Sequence, residues 1–141
     1  MSCSPIDLWG LASSLGSGAG CSEVELRCAT SRGYYAALHT VDQAIPAVVG
    51  VERQRNEGSH AFVIRRAHKY SQGPNPGRRE AAQIVLAMKR LKDQRNHADY
   101  SLDLCYESRD REDALQRVAV ILGYCRDLQN AITTQSAKTG T

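Results

Sequence analysis

The residues best able to do chemistry in this chain crowd into one stretch, where Arg90, Asp93, Arg95, Asn96, His97 and Asp99 follow one another closely. Arg90 and His97 are seven apart, so on a helix their directions differ by only about 20° and their Cα atoms by roughly 10 Å along the axis. Both side chains can then reach one phosphate. Cutting RNA without a metal needs a group near neutral pKa to move the 2′-hydroxyl proton and a fixed cation to meet the charge growing on the phosphate. His97 and a nearby arginine supply those two parts, and Asp93 or Asn96 is placed to orient them. Read as ordinary surface, the same residues are a solvated helix face.

Arg95 stands apart from the others. At 100° per residue the helix around it has an apolar stripe of Ile84, Met88, Leu91, Ala98 and Leu102, and Arg95 falls in the middle of it. An unpaired buried guanidinium costs several kcal/mol, so Arg95 needs a partner or a water-filled cleft. Asp99 is one candidate. Asp42 is the other, because it interrupts the apolar stripe Val24, Ser31, Tyr34, Tyr35, Leu38, Val41, Ile45 and Val49 of an earlier helix. Such a pair serves equally well to fix helix register.

Charge points to a polyanion. The net charge of +3 is unevenly spread. Residues 53 to 95 carry eleven basic against three acidic side chains, a balance of +8, while the segments before and after carry −3 and −2. RNA is the obvious partner for the middle segment. Arg65, Arg66 and Lys69, with Arg78 and Arg79 just beyond the next turn, are the candidate phosphate contacts; the plainer reading is a solvated helix end.

Metal and cofactor chemistry find no support in the spacing. Cys3, Cys21, Cys28, Cys105 and Cys125 form no CxxC pair, and their odd number and wide separation read as small buried hydrophobes in a reducing compartment. His60 and His68 lie about 80° apart round a helix, which does not suit a shared metal. His39, at the edge of a core face, suits a hydrogen-bonded structural role. The stretch from Ile6 to Leu15 has no basic leader, and no apolar run is long enough for a bilayer, so the expectation is a cytoplasmic protein without a membrane segment.

The elements that must hold these residues are all helical. Few aromatic residues and frequent Ala, Leu, Arg and Gln favour helices over sheet. Ser4-Pro5-Ile6-Asp7 starts a short helix that the glycines from 16 to 20 end. Ser22 caps a long second helix patterned as far as Val49, with Pro46 ending or kinking it near Ile45. A third runs from Gly58-Ser59 through Tyr70. Asn75 is the expected cap of the fourth, with Pro76 at its first position, and that helix should run from Arg78 to Leu102 or Cys105. Ser108 or Asp110 starts the fifth, with Leu115, Val118, Ile121, Leu122, Cys125, Leu128 and Ile132 at core spacing. The expected architecture is all-α: one domain over 1–136, an up-and-down antiparallel four-helix bundle with an extra short N-terminal helix, and a flexible tail at 137–141.

Two of these segments together resemble the HEPN superfamily. Ser31-Arg32-Gly33-Tyr34-Tyr35-Ala36-Ala37-Leu38-His39 is similar to its SRxYYAxxH helix, and Leu91-Lys92-Asp93-Gln94-Arg95-Asn96-His97-Ala98-Asp99-Tyr100 to its LxxxRxxADY helix. The resemblance covers roughly residues 22 to 130. It implies a helical bundle that commonly forms homodimers and, in active branches, a metal-independent endoribonuclease of toxin-antitoxin, CRISPR and antiviral defence systems. Those branches carry arginine and then histidine with at most six residues between them. Arg90 to His97 fits the widest spacing, with Leu91 in place of a polar neighbour; Arg95 has the polar neighbour Asn96, but His97 follows too soon. Both arginines stay open. The resemblance implies a dimer cleft in which His97 is the acid or base and one arginine stabilises the phosphorane. A toxin held silent by a partner antitoxin would share this chemistry; the alternative of another class is a non-catalytic adaptor that dimerises or joins a larger defence effector complex. Leu86 and Leu104 would then make the contact.

Overall fold

In the computed structural model, which describes residues 2–140, the chain forms five helices, and there is no strand among the described residues. They are α1 (Pro5–Ser14), α2 (Glu23–Ala44), α3 (Ser59–Gln72), α4 (Arg78–Tyr100) and α5 (Ser108–Thr139). Local chemistry sets most of these ends. Ser4 and Asp7 close a reciprocal capping box before Pro5, and Ser22 accepts the Glu25 N–H at the start of α2. Pro46 cannot continue α2, which stops at Ala44 with Ile45 as its cap. α5 starts behind Glu107, whose side chain pairs with Asp110 in a second capping box.

Three expectations need correction at the ends of the elements. Asn75 does not cap α4. Its side-chain amide donates to the Tyr70 carbonyl at 2.8 Å, and Gly77 takes the cap position at φ 74°. α4 stops at Tyr100, short of Leu102, and α5 runs on to Thr139, past the 136 boundary where a tail was expected. Because α2 and α4 end early, Val49 and Leu102 lie in connections and are fully and 71% exposed. Val24, in the first turn of α2, is also exposed.

α2 packs against the other four helices, and α4 against α2, α3 and α5. Tyr34, Val41, Ile84, Met88, Leu91, Val118, Ile121 and Leu128 are fully buried between them. The core stripe expected of α5 is realised, with Leu122 and Ile132 at its margin. Cys125 lies in that core, and burial pushes its thiol up to about 12. The other cysteines do not follow it: Cys3, Cys28 and Cys105 are exposed and Cys21 is half-buried. Cys3, Cys21 and Cys105 lie outside the helices, and Cys28 lies on the exposed side of α2.

Gly77 marks the tightest approach. A Cβ there would press into Leu128 Cδ1 and lie 3.1 Å from the Leu128 Cα, and the positive φ already disfavours any other residue. Gly77→Ala is expected to cost roughly 2–4 kcal/mol, strain and overpacking combined, read as a lower urea midpoint with an unchanged m-value.

Three buried arginines hold the ends of helices. Arg27 Nη1 donates to the His97 and Ala98 carbonyls at 3.0 and 2.8 Å, and Nη2 to those of Ser101 and Leu104. This ties the last turn of α4 and the following connection to α2. Arg111 on α5 donates to the Ser13 and Leu15 carbonyls at the end of α1. Arg66 on α3 donates to the Asp42 carbonyl and carboxylate near the end of α2. Helix C-termini leave carbonyls unpaired and carry partial negative charge, so a guanidinium with several donors answers both needs.

Candidate functional site

Arg95 is buried to a similar degree but caps no helix. Its side chain is 14% exposed and turns toward α2, where the Ser31-to-His39 segment faces it. Nη2 donates to the Tyr35 hydroxyl at 3.1 Å and Nη1 to Asn96 Oδ1 at 3.3 Å. Asp99 Oδ2 lies 2.8 Å from Nε, although the Nε–H is not aligned with it, so this contact is one of charge. Ser31 Oγ donates to the same carboxylate oxygen at 3.2 Å. Three tyrosine rings surround the guanidinium carbon, Tyr34 at 5.5 Å, Tyr35 at 5.6 Å and Tyr100 at 5.2 Å. Cation–π contact and one carboxylate thus offset the desolvation. Asp99 is the expected partner; Asp42, the other candidate, is taken by Arg66.

α3 brings a histidine to this cluster. His60 Nδ1 and the Tyr34 hydroxyl share a hydrogen bond of 3.3 Å, and its ring lies 5.6 Å from those of Tyr34 and Tyr35. His39 stacks on Tyr35 from the exposed side, with ring centroids 6.4 Å apart. Burial, and then the positive charges of Arg95 and Lys92 and the neighbouring His39, hold the His60 pKa below its ordinary 6.5. Burial raises Tyr34, so its hydroxyl keeps its proton. The result is a neutral imidazole beside a fixed cation.

The depressed pKa of His60 has a consequence for stability. Below about pH 6.5 the unfolded chain takes up a proton that folded His60 resists, so stability falls as pH drops through that window. Wild type is expected to lose more of its thermal midpoint between about pH 7.5 and about 5.5 than His60→Asn does, in parallel melts. Equal losses would count against a partly buried, neutral imidazole.

The residues singled out in the sequence are divided by the helix they share. Arg95 and Asn96 belong to the cluster. Arg90 is exposed on another side of α4, lining a groove against α5 with Gln83, Leu86, Gln94, Asp113 and Arg117. His97 does not line that groove; its ring packs 5.3 Å from that of Tyr106. Asp93 is exposed. Arg90 and His97 therefore share a sector of α4 without being brought into contact, and neither joins Arg95.

The candidate phosphate contacts separate in the same way. Arg66 is buried on Asp42 and Phe62. Arg65 is paired with Glu57, whose carboxyl it holds down to about 2, chiefly through its hydrogen bonds. Lys69, Arg78 and Arg79 are exposed, but the last two open α4, roughly 25 Å along the helix from Arg95. Among the described residues there is no group of three or more His, Cys, Asp or Glu side chains placed to hold a metal, and no helix long and apolar enough to cross a membrane.

Sequence reasoning missed His60 as a member of the site. Its position in the first turn of α3 fixes nothing until the packing of α3 beside α2 and α4 is known. The buried role of Arg27 was missed for the same reason. No protein-family model, curated protein or solved structure matches the chain.

Proposed function

We propose that this protein is an RNA-directed member of the HEPN type, acting as a metal-independent endoribonuclease around Arg95. The observation that carries the reading is one cluster joining a fixed arginine, a neutral histidine and tyrosine rings. With Nδ1–H donating to the Tyr34 oxygen, His60 keeps its Nε2 lone pair to take the 2′-hydroxyl proton. The 2′-oxygen then attacks the adjacent phosphorus, the bond to the 5′-oxygen of the next nucleotide breaks, that oxygen leaves as a 5′-hydroxyl with a proton from water while His60 returns its own to solvent, and a 2′,3′-cyclic phosphate is left. Arg95 meets the charge that grows on the phosphate oxygens, held in place by Asp99 and Tyr35. His60 thus takes the role that spacing alone gave to His97. The reading includes an up-and-down arrangement of the four long helices, a homodimer, a cytoplasmic location and a defence or toxin-antitoxin setting.

The test is cleavage of a mixed single-stranded RNA on a denaturing gel in EDTA. Wild type and His97→Ala are expected to cut, and His60→Gln to be slower by about 10²–10⁴. If His97→Ala is silent while His60→Gln cuts normally, the chemistry belongs to the other side of α4.

A second reading rests on the α4–α5 groove, where Leu86 and Val120 are exposed beside Arg90, Arg117 and Asp113. As a non-catalytic adaptor the protein would use this face to assemble, together with Leu104, which is exposed in the connection from α4 to α5. Leu86→Glu would then abolish assembly and no variant would alter cleavage.

A further inference from the structure

We infer that the substrate is a single strand whose backbone enters along the groove between α3 and α4 and whose base stacks on Tyr100; this rests on the RNA-directed reading above. The groove is lined by Ala61, Ile64, Arg65, His68, Lys89 and Lys92, with no acidic residue among them. Arg65 is occupied by Glu57, whereas Lys89 and Lys92 make no ion pair within 4.0 Å among the described residues. A groove with an apolar floor and unpaired ammonium groups at its wall suits a chain of phosphates joined by less polar sugars.

Lys92 connects this groove to the site, since it is one of the charges felt by His60 together with Arg95 and His39. On α4, Lys89, Lys92, Asn96 and Tyr100 fall within about 80° of one another and rise roughly 16 Å along the axis. They form a row from the groove to the mouth of the Arg95 cluster. At its end Tyr100 packs on the Arg95 guanidinium, 5.2 Å from centroid to carbon, yet remains 69% exposed. A large aromatic ring held by a cation and open to solvent is a platform for an unpaired base. Bases paired in an A-form duplex cannot reach it. The row therefore selects single strands without reading their sequence.

The experiment is fluorescence anisotropy of a labelled short oligouridylate in EDTA across a salt series, with thermal midpoints recorded for every variant. Lys89→Glu with Lys92→Glu is expected to weaken binding by more than about ten-fold, and the neutral Lys89→Gln with Lys92→Gln to lower the slope of log K against log salt by about 1.4, for two phosphate contacts. Tyr100→Ala is expected to lose about ten-fold while Tyr100→Phe keeps wild-type affinity. A blunt duplex of the same length should compete at least about ten-fold less well. The inference is overturned if folded double variants bind within about two-fold of wild type, if the duplex competes equally, or if wild type does not bind the single strand. Binding with all these properties but no cleavage would sink the nuclease reading alone; cleavage by a groove variant at wild-type rate and affinity would sink this inference alone.

Discussion

Replacing Arg27 with methionine lowers the free energy of unfolding by about 3–5 kcal/mol, a loss on the order of 10 °C in the thermal midpoint. Methionine keeps an apolar stem of similar reach, so the effect isolates the guanidinium. Four carbonyls, those of His97, Ala98, Ser101 and Leu104, lose the guanidinium at once, although those of His97 and Ser101 still accept the Ser101 and Leu104 N–H groups. Some are half-buried and water recovers part of the loss, which is why the figure stays below four full desolvation penalties. Tyr106, whose ring lies 5.2 Å from the Arg27 guanidinium carbon and whose hydroxyl is bonded to Thr30, loses one wall of its site as well. Glu23, the carboxylate partner of Arg27, is about half exposed. Glu23→Gln should therefore cost under about 1 kcal/mol. Urea unfolding of the two variants beside wild type checks both figures.

On the nuclease reading proposed above, Arg95→Lys is expected to lower the cleavage rate by about 10²–10³ with the fold retained. Lysine keeps the positive charge but not the planar fork that reaches Tyr35 and Asn96 together while lying among three tyrosine rings. An ammonium in that position is mobile and more strongly hydrated, so it is poorly placed for charge that develops on one phosphate. If the cluster were only an architectural pin, the same substitution would lower the melting point and leave the rate per folded molecule unchanged. Single-turnover rates normalised to the folded fraction separate the two.

Short-range chemistry made much of this molecule legible in its sequence. Ser4, Pro5 and Asp7, Ser22, and Pro46 each act on residues within one helical turn, and the helix ends follow them. Arg95 was legible too, because a charge inside the stripe of Ile84, Met88 and Leu91 demands a partner, and Asp99 lies one turn away. What escaped was everything set by how helices cross. The donors of Arg27 meet carbonyls some 70 positions distant, an arrangement that no periodicity encodes. His60 joins Tyr34 only because α3 lies beside α2 and α4. Projection round α4 puts Arg90 and His97 in one sector, yet Tyr106 of the following connection packs on the His97 ring while Arg90 opens onto α5. Asn75 shows the same limit at short range. It had the right chemistry for a cap, but the close approach of Leu128 demanded glycine at 77.

The most direct measurement of the central claim is the 3′-end chemistry of RNA incubated with wild-type protein in EDTA. Fragments ending in 2′,3′-cyclic phosphate, absent when Arg95 is lysine and when the 2′-hydroxyl at the cut is replaced by hydrogen, are the predicted result. Intact RNA in the presence of folded wild-type protein, or fragments whose yield is the same with Arg95→Lys, would contradict it.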